Sequence, residues 1–201
     1  MLNPDTPAAT IIFAVTIALS LLGMYRVPLI IERCLFRPHA FLRRRQYHTI
    51  VTSGLVHADL GHLLFNMLTF WFFAFPAERH VGTARFTALY IAGLVASHAC
   101  TYWKQRTNIQ YASLGASGAI SAVLFAYIVY FPRTTLMILP LPVPIPAVLF
   151  AIGYVAWSWW AARHSRGRIN HDAHLCGALF GLAFVGLTDP GAFARLVRTF
   201  L

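Results

Sequence analysis

His57-Ala-Asp-Leu-Gly-His62-Leu-Leu-Phe-Asn66-Met-Leu-Thr-Phe-Trp-Phe-Phe-Ala-Phe-Pro-Ala77 is the stretch on which the fold turns. From Gly61 to Ala77 it carries no charged side chain and comes close to the length needed to cross a bilayer as a helix. Inside that apolar run sit His62 and Asn66, four residues apart and therefore on one helical face. Both can donate a hydrogen bond to a point beside that face. Polar groups at membrane depth cost free energy, so the pair either bonds neighbouring helices or serves a site.

The rest of the chain shares this character. Of 201 residues, 58% are hydrophobic and 11% charged, outside the balance of a soluble domain. With a mean hydropathy of +0.63, disorder is excluded as well. The net charge of +10 does not indicate a nucleic-acid binder, because the basic residues sit in short clusters between apolar runs. Six stretches of spanning length are expected, at about residues 8–31, 61–77, 86–103, 114–131, 145–162 and 173–187. Helices are the expected form, since lipid leaves no water for an open strand edge, and the alternation of a membrane barrel is absent. The expectation is therefore an all-α, polytopic membrane protein forming one domain over residues 1–201, embedded in a lipid bilayer. The first stretch lacks the basic start and cleavage pattern of a secretory signal, so it reads as a retained helix.

Between the first two stretches, residues 32–60 mix Arg33, Arg37 and Arg43 to Arg45 with Phe36, Phe41, Leu42 and Tyr47. That composition fits an interfacial, partly embedded loop, with arginines reaching headgroups. Pro140, Pro142, Pro144 and Pro146 form a stiff approach to the fifth helix. Tyr102, Trp103, Tyr130, Phe131, Trp157, Trp159 and Trp160 lie near helix ends, as interfacial anchors do. Cys34, Cys100 and Cys176 are odd in number and lack CxxC spacing, so they read as small packing groups, neither a disulfide framework nor a zinc site.

Two further stretches carry polar residues of interest. Gly115-Ala-Ser117-Gly118 places a sterically open serine at a loop-to-helix junction, where backbone N–H groups are unpaired. Ala173-His174-Leu-Cys-Gly177-Ala-Leu-Phe-Gly181 puts His174, Gly177 and Gly181 on one stripe of the sixth helix. The glycines lower that surface so that a partner helix can come close, which also describes ordinary membrane packing. Together the three stretches supply the parts for acyl transfer: a nucleophile, a base to take its proton, and donors for a developing oxyanion.

In this order and spacing, HxxxxHxxxN, GxSG and AHxxGxxxG resemble the rhomboid intramembrane serine proteases, most closely their compact bacterial six-helix form. Glu78-Arg-His-Val-Gly82 is similar to that family's ExxxG element. The resemblance implies a six-helix bundle with an embedded first loop, Ser117 as nucleophile and His174 as general base and acid. His62, Asn66 and the Ser117 backbone N–H would stabilise the oxyanion. Gly115 and Gly118 would shape the serine's turn, and Gly177 and Gly181 the helix seam. The substrates implied are transmembrane segments of membrane proteins, with no cofactor, metal or nucleic acid involved, in a bacterial inner membrane. Two places depart from the family pattern: His48 and Thr49 stand where a Trp-Arg pair is common, and Phe75 where a glycine is usual.

The family orientation would point the active site and the connections after helices one, three and five outward. Those connections hold Arg33, Arg37, Arg43 to Arg45, Lys104, Arg106, Arg163, Arg166 and Arg168, against Arg79, Arg85, Arg133, Arg195 and Arg198 on the other side. Counted by the positive-inside rule, the charges favour the reverse. Two other functions are conceivable. A catalytically inactive rhomboid-like binder of membrane helices would be free to lose Ser117 or His174, and both are intact. A metal or proton transporter could use His57, His62, His98, His171 and His174, but acidic residues are scarce within the spans and no HExxH occurs. Asp172, two residues before His174, reads as a loop residue and not as a triad acid.

Overall fold

A computed structural model describes residues 4–138, 141–164 and 169–201. Pro140, Arg166 and Arg168 lie outside the described residues. The chain is mostly helical, with α1 (Pro7–Tyr25), α2 (Leu29–Cys34), α3 (Pro38–Phe41), α4 (Thr49–Thr52) and a single 3₁₀ turn (Ser53–Leu55). The long helices α5 (Leu60–Val81), α6 (Thr83–Gln105) and α7 (Ser117–Tyr130) follow. A hairpin of β1 (Thr135–Ile138) and β2 (Leu141–Pro146) leads to α8 (Ala147–His164), α9 (His171–Thr188) and α10 (Pro190–Arg198).

Several expected boundaries shift for local reasons. The first apolar stretch does not continue to residue 31, because the chain turns at Arg26 and Pro28 cannot extend the helix. The fourth helix begins at Ser117 and not at residue 114, because Gly115 has φ +114° just before it. The purely helical expectation is corrected by the hairpin. Prolines at every second position remove N–H groups along one edge of β2 only, leaving the edge shared by Leu141, Val143 and Ile145 free to pair.

Among the described residues, α1 and α5 are each long and apolar enough to cross a membrane, and α9 with α10 forms a pair bent by 104°. The helices α6 and α8 carry polar and charged residues, and α7 is shorter, at 14 residues. The chain contains membrane-spanning helices, and α1 and α5, with the bent pair as a third, are fewer than the expected six.

Helix α7 lies at the centre. It is apolar on every side, and all of its residues but Ser117, Tyr127 and Tyr130 are buried. A helix without a polar face is covered all round, here by α5, α6 and α9. Gly177 and Gly181 make the closest approach possible. A Cβ on the first would lie on the Gly118 carbonyl oxygen, and one on the second on the Ala122 carbonyl oxygen.

The buried Glu78 organises the other side of the bundle. Its carboxylate accepts from the Ala8 N–H at 3.0 Å and the Ala9 N–H at 2.6 Å, the unpaired donors at the start of α1. Phe75 adds an aromatic contact between α1 and α5, its ring centroid 5.9 Å from that of Phe13.

The first loop is a built structure. Phe36 exchanges backbone hydrogen bonds with Ser113 at 3.0 Å each way, and its ring meets His98 edge-on at 4.5 Å. The first departure from the family pattern, His48 and Thr49, is accommodated here. His48 Nε2 lies 3.2 Å from the Arg33 carbonyl oxygen, and the Thr49 hydroxyl donates to the Gln46 carbonyl at 2.7 Å.

The reading of all three cysteines as packing groups is corrected. Cys100 and Cys176 form a disulfide joining α6 to α9, with Cα atoms 6.4 Å apart, and Cys34 alone is free. The two helices run side by side, a juxtaposition that a separation of 76 residues hides from any spacing rule.

Candidate active site

The N-terminal turns of α5, α7 and α9 meet at one end of the bundle, and each is fixed by a local device. Asp59 caps α5, accepting from the His62 N–H at 2.8 Å. Asn170 caps α9, accepting from the Ala173 N–H at 3.1 Å, while its amide donates to Thr101 of α6 at 2.8 Å. The cap thus fixes the height at which α9 begins, and with it His174.

Ser117 is the first residue of α7. The strand of chain before it is pinned from the first loop, the Gly115 N–H donating to the Ser53 carbonyl at 2.8 Å. His57 supports the same turn. Its Nδ1 lies 3.3 Å from Ser20 Oγ, and its Nε2 accepts from the Ala116 N–H at 3.5 Å. Burial, with His62 alongside, pushes the His57 imidazole down to about 3, against an opposing pull from Asp59. The neutral ring with its proton on Nδ1 satisfies both contacts. Ser53 in turn bonds His98, Oγ to Nε2 at 2.8 Å, and His98 Nδ1 reaches the Leu94 carbonyl at 2.8 Å.

His62 faces the serine's turn: a Cβ added at Gly115 would lie 2.5 Å from His62 Cε1. An L-residue there would meet both this ring and a positive φ, so glycine is required on two counts. At Gly118 an added Cβ would be 3.3 Å from the Ala173 carbonyl oxygen, one residue before His174. His174 has His171 and His62 as titratable neighbours. Asn66 is buried one turn below His62, and its amide donates to the His62 carbonyl at 2.9 Å. The three sequence stretches are thus brought together, each at the start of its helix.

Asp172 is not a loop residue. It belongs to the first turn of α9, and its carboxylate pairs with Lys104 at 2.7 Å. Among the described residues no three His, Cys, Asp or Glu side chains are grouped to hold a metal ion.

Sequence reasoning passed over Tyr154 of α8. Its ring stacks on that of His174, centroids 6.4 Å apart and planes at 27°. Its hydroxyl lies 2.8 Å from Ser121 Oγ. A phenol in the middle of a spanning stretch is the signal that could have found it, as could a serine one turn after Ser117.

Fold and site define a class first: helical membrane proteins whose polar groups converge at the ends of three packed helices. Comparison with known families narrows this, because residues 44–189 match the Rhomboid domain. The chain belongs to the rhomboid family. It is 28% identical over 176 residues to Rhomboid protein 1, mitochondrial, of Saccharomyces cerevisiae, covering 84% of this chain and 50% of that protein. RHOMBOID-like protein 12, mitochondrial, of Arabidopsis thaliana is 32% identical, with coverage of 65% and 43%. Presenilin-associated rhomboid-like protein A, mitochondrial, of Danio rerio is 35% identical, with coverage of 68% and 36%. The chain spans half or less of the length of these relatives. All three carry a mitochondrial name, and the expectation of a bacterial inner membrane finds no support in them.

Proposed function

We propose that the chain is an intramembrane serine endopeptidase that cuts transmembrane segments of membrane proteins. The observation that supports this reading is the meeting of the three helix starts that carry Ser117, His62 and His174, with the His62 ring against Gly115 and the α9 backbone against Gly118. The Ser117 hydroxyl attacks the scissile carbonyl carbon while the His174 imidazole takes its proton. The carbonyl oxygen, now negative, is held by the Ser117 backbone N–H with His62 and Asn66, donors that count for more where water is scarce. Collapse breaks the C–N bond as His174 returns the proton to the departing amine. Water then cleaves the acyl-serine by the same steps.

In this reading α1, α5, α6, α7, α8 and α9 are six spans. With 14 residues α7 is about 21 Å long, shorter than the roughly 30 Å of hydrocarbon, as expected of a helix that carries its first residue, Ser117, below the membrane surface. The Cys100–Cys176 disulfide lies at the same end as His174, and disulfides persist on oxidising sides of membranes. It supports an active site facing outward, against the count of arginines. Cleavage of a model single-pass protein in proteoliposomes tests the reading. Activity lost in folded Ser117→Ala and His174→Ala supports it, and full activity in a folded Ser117→Ala overturns it in favour of a non-catalytic helix binder.

A further inference from the structure

Tyr154 reaches both halves of the proposed dyad from a third helix, His174 directly and Ser117 through Ser121. On one side its ring lies nearly parallel to the His174 imidazole, centroids 6.4 Å apart, within the range of offset aromatic pairs. On the other its hydroxyl reaches Ser121 Oγ at 2.8 Å. Ser121 has a single proton, and it donates that proton to the Ser117 carbonyl at 2.8 Å. The phenol is therefore the donor in the Tyr154–Ser121 pair, and a chain of two hydrogen bonds runs from α8 to the residue bearing the nucleophile. Phe125 of α7 and Phe150 of α8 brace the ring, at 5.4 and 5.7 Å.

We infer that Tyr154 is a positioning residue for the proposed reaction: stacked on His174 and tethered through Ser121 to Ser117, it makes the geometry of the dyad depend on α8 being seated. The inference rests on the serine-protease reading above. Neither contact touches substrate, so the effect falls on the rate of chemistry more than on binding. The carrier element matters too. Outside its contact with α9, α8 has few packing partners, so displacement of α8 would remove the stack and the tether together.

The test is the kinetics of Tyr154→Ala and Tyr154→Phe on a model transmembrane substrate, alongside fluorophosphonate labelling of each variant and of Ser117→Ala. Tyr154→Ala should lower kcat by roughly a hundredfold with KM within about threefold, the cost of a misplaced catalytic pair. Tyr154→Phe keeps the stack and loses only the tether, and should recover kcat to within about fivefold of wild type. Ser121→Ala should match Tyr154→Phe, and combining the two should add little, because they break the same chain. Wild-type kcat in a folded Tyr154→Ala, or a loss carried by KM alone, overturns the inference while leaving the protease reading in place. A wild type that is neither labelled nor active overturns both.

Discussion

Gly181 of α9 and Gly153 of α8 occupy similar mid-helix places and opposite surroundings. A Cβ at Gly181 would lie on the Ala122 carbonyl oxygen of α7, whereas one at Gly153 would meet nothing within 4 Å. The difference extends to the helices that carry them. Along the seam, backbone meets backbone and α7 is buried almost throughout. Of the residues of α8, only Ala147, Ser158 and Ala161 are buried, while Leu149, Ile152, Trp157, Trp159 and Trp160 face outward. The seam holds α9, which carries His174, against α7, which carries Ser117; α8 leans on it with replaceable apolar side chains and one informative residue, Tyr154. The proposed protease would have to hold the geometry of its dyad and admit a helical substrate, and the two kinds of contact suit those two needs.

The comparison breaks most readily at Gly181. Gly181→Val should destabilise the protein by about 3 kcal/mol or more, since neither backbone can move without disturbing the central helix. Thermal unfolding in detergent reads this, and a midpoint within a few degrees of wild type would remove the seam from the account. A smaller loss is expected at the strap across the same region. The paired change Cys100→Ser with Cys176→Ser, or treatment with a reductant, should cost about 2–4 kcal/mol. If the variant is also insensitive to reductant, the disulfide accounts for that difference. The smallest effect is expected at Gly153→Ala, which should be neutral or stabilising by about 0.5–1 kcal/mol, because a helical glycine is replaced where space is open. Marked destabilisation there would mean that α8 is packed more tightly than its surroundings indicate.

Much of this architecture is legible in the sequence because lipid makes exceptions conspicuous. Apolar runs mark the long helices, and the few polar residues inside them, His62, Asn66, Ser117 and His174, stand out by their cost. The glycine stripe of α9 reads as a seam because its spacing is local to one helix. Contacts between distant segments leave no such trace. The Cys100–Cys176 bond joins residues whose spacing carries no periodic signal, and Glu78 shows its acidity without showing that it holds the start of α1. The proline run misleads for a different reason. Stiffness is obvious from composition, but whether missing N–H groups fall on one edge or both depends on a strand partner, here β1. Tyr154 escapes because its importance lies in what it faces.

In the proposed reaction Ser117 is an activated nucleophile. Mass spectrometry of the protein after exposure to a fluorophosphonate in proteoliposomes tests it most directly. One phosphonyl adduct is expected on Ser117 in the wild type and none in Ser117→Ala, with His174→Ala labelled at least a hundredfold more slowly because its serine lacks a proton acceptor. An adduct elsewhere, or none in a folded wild type, would contradict it.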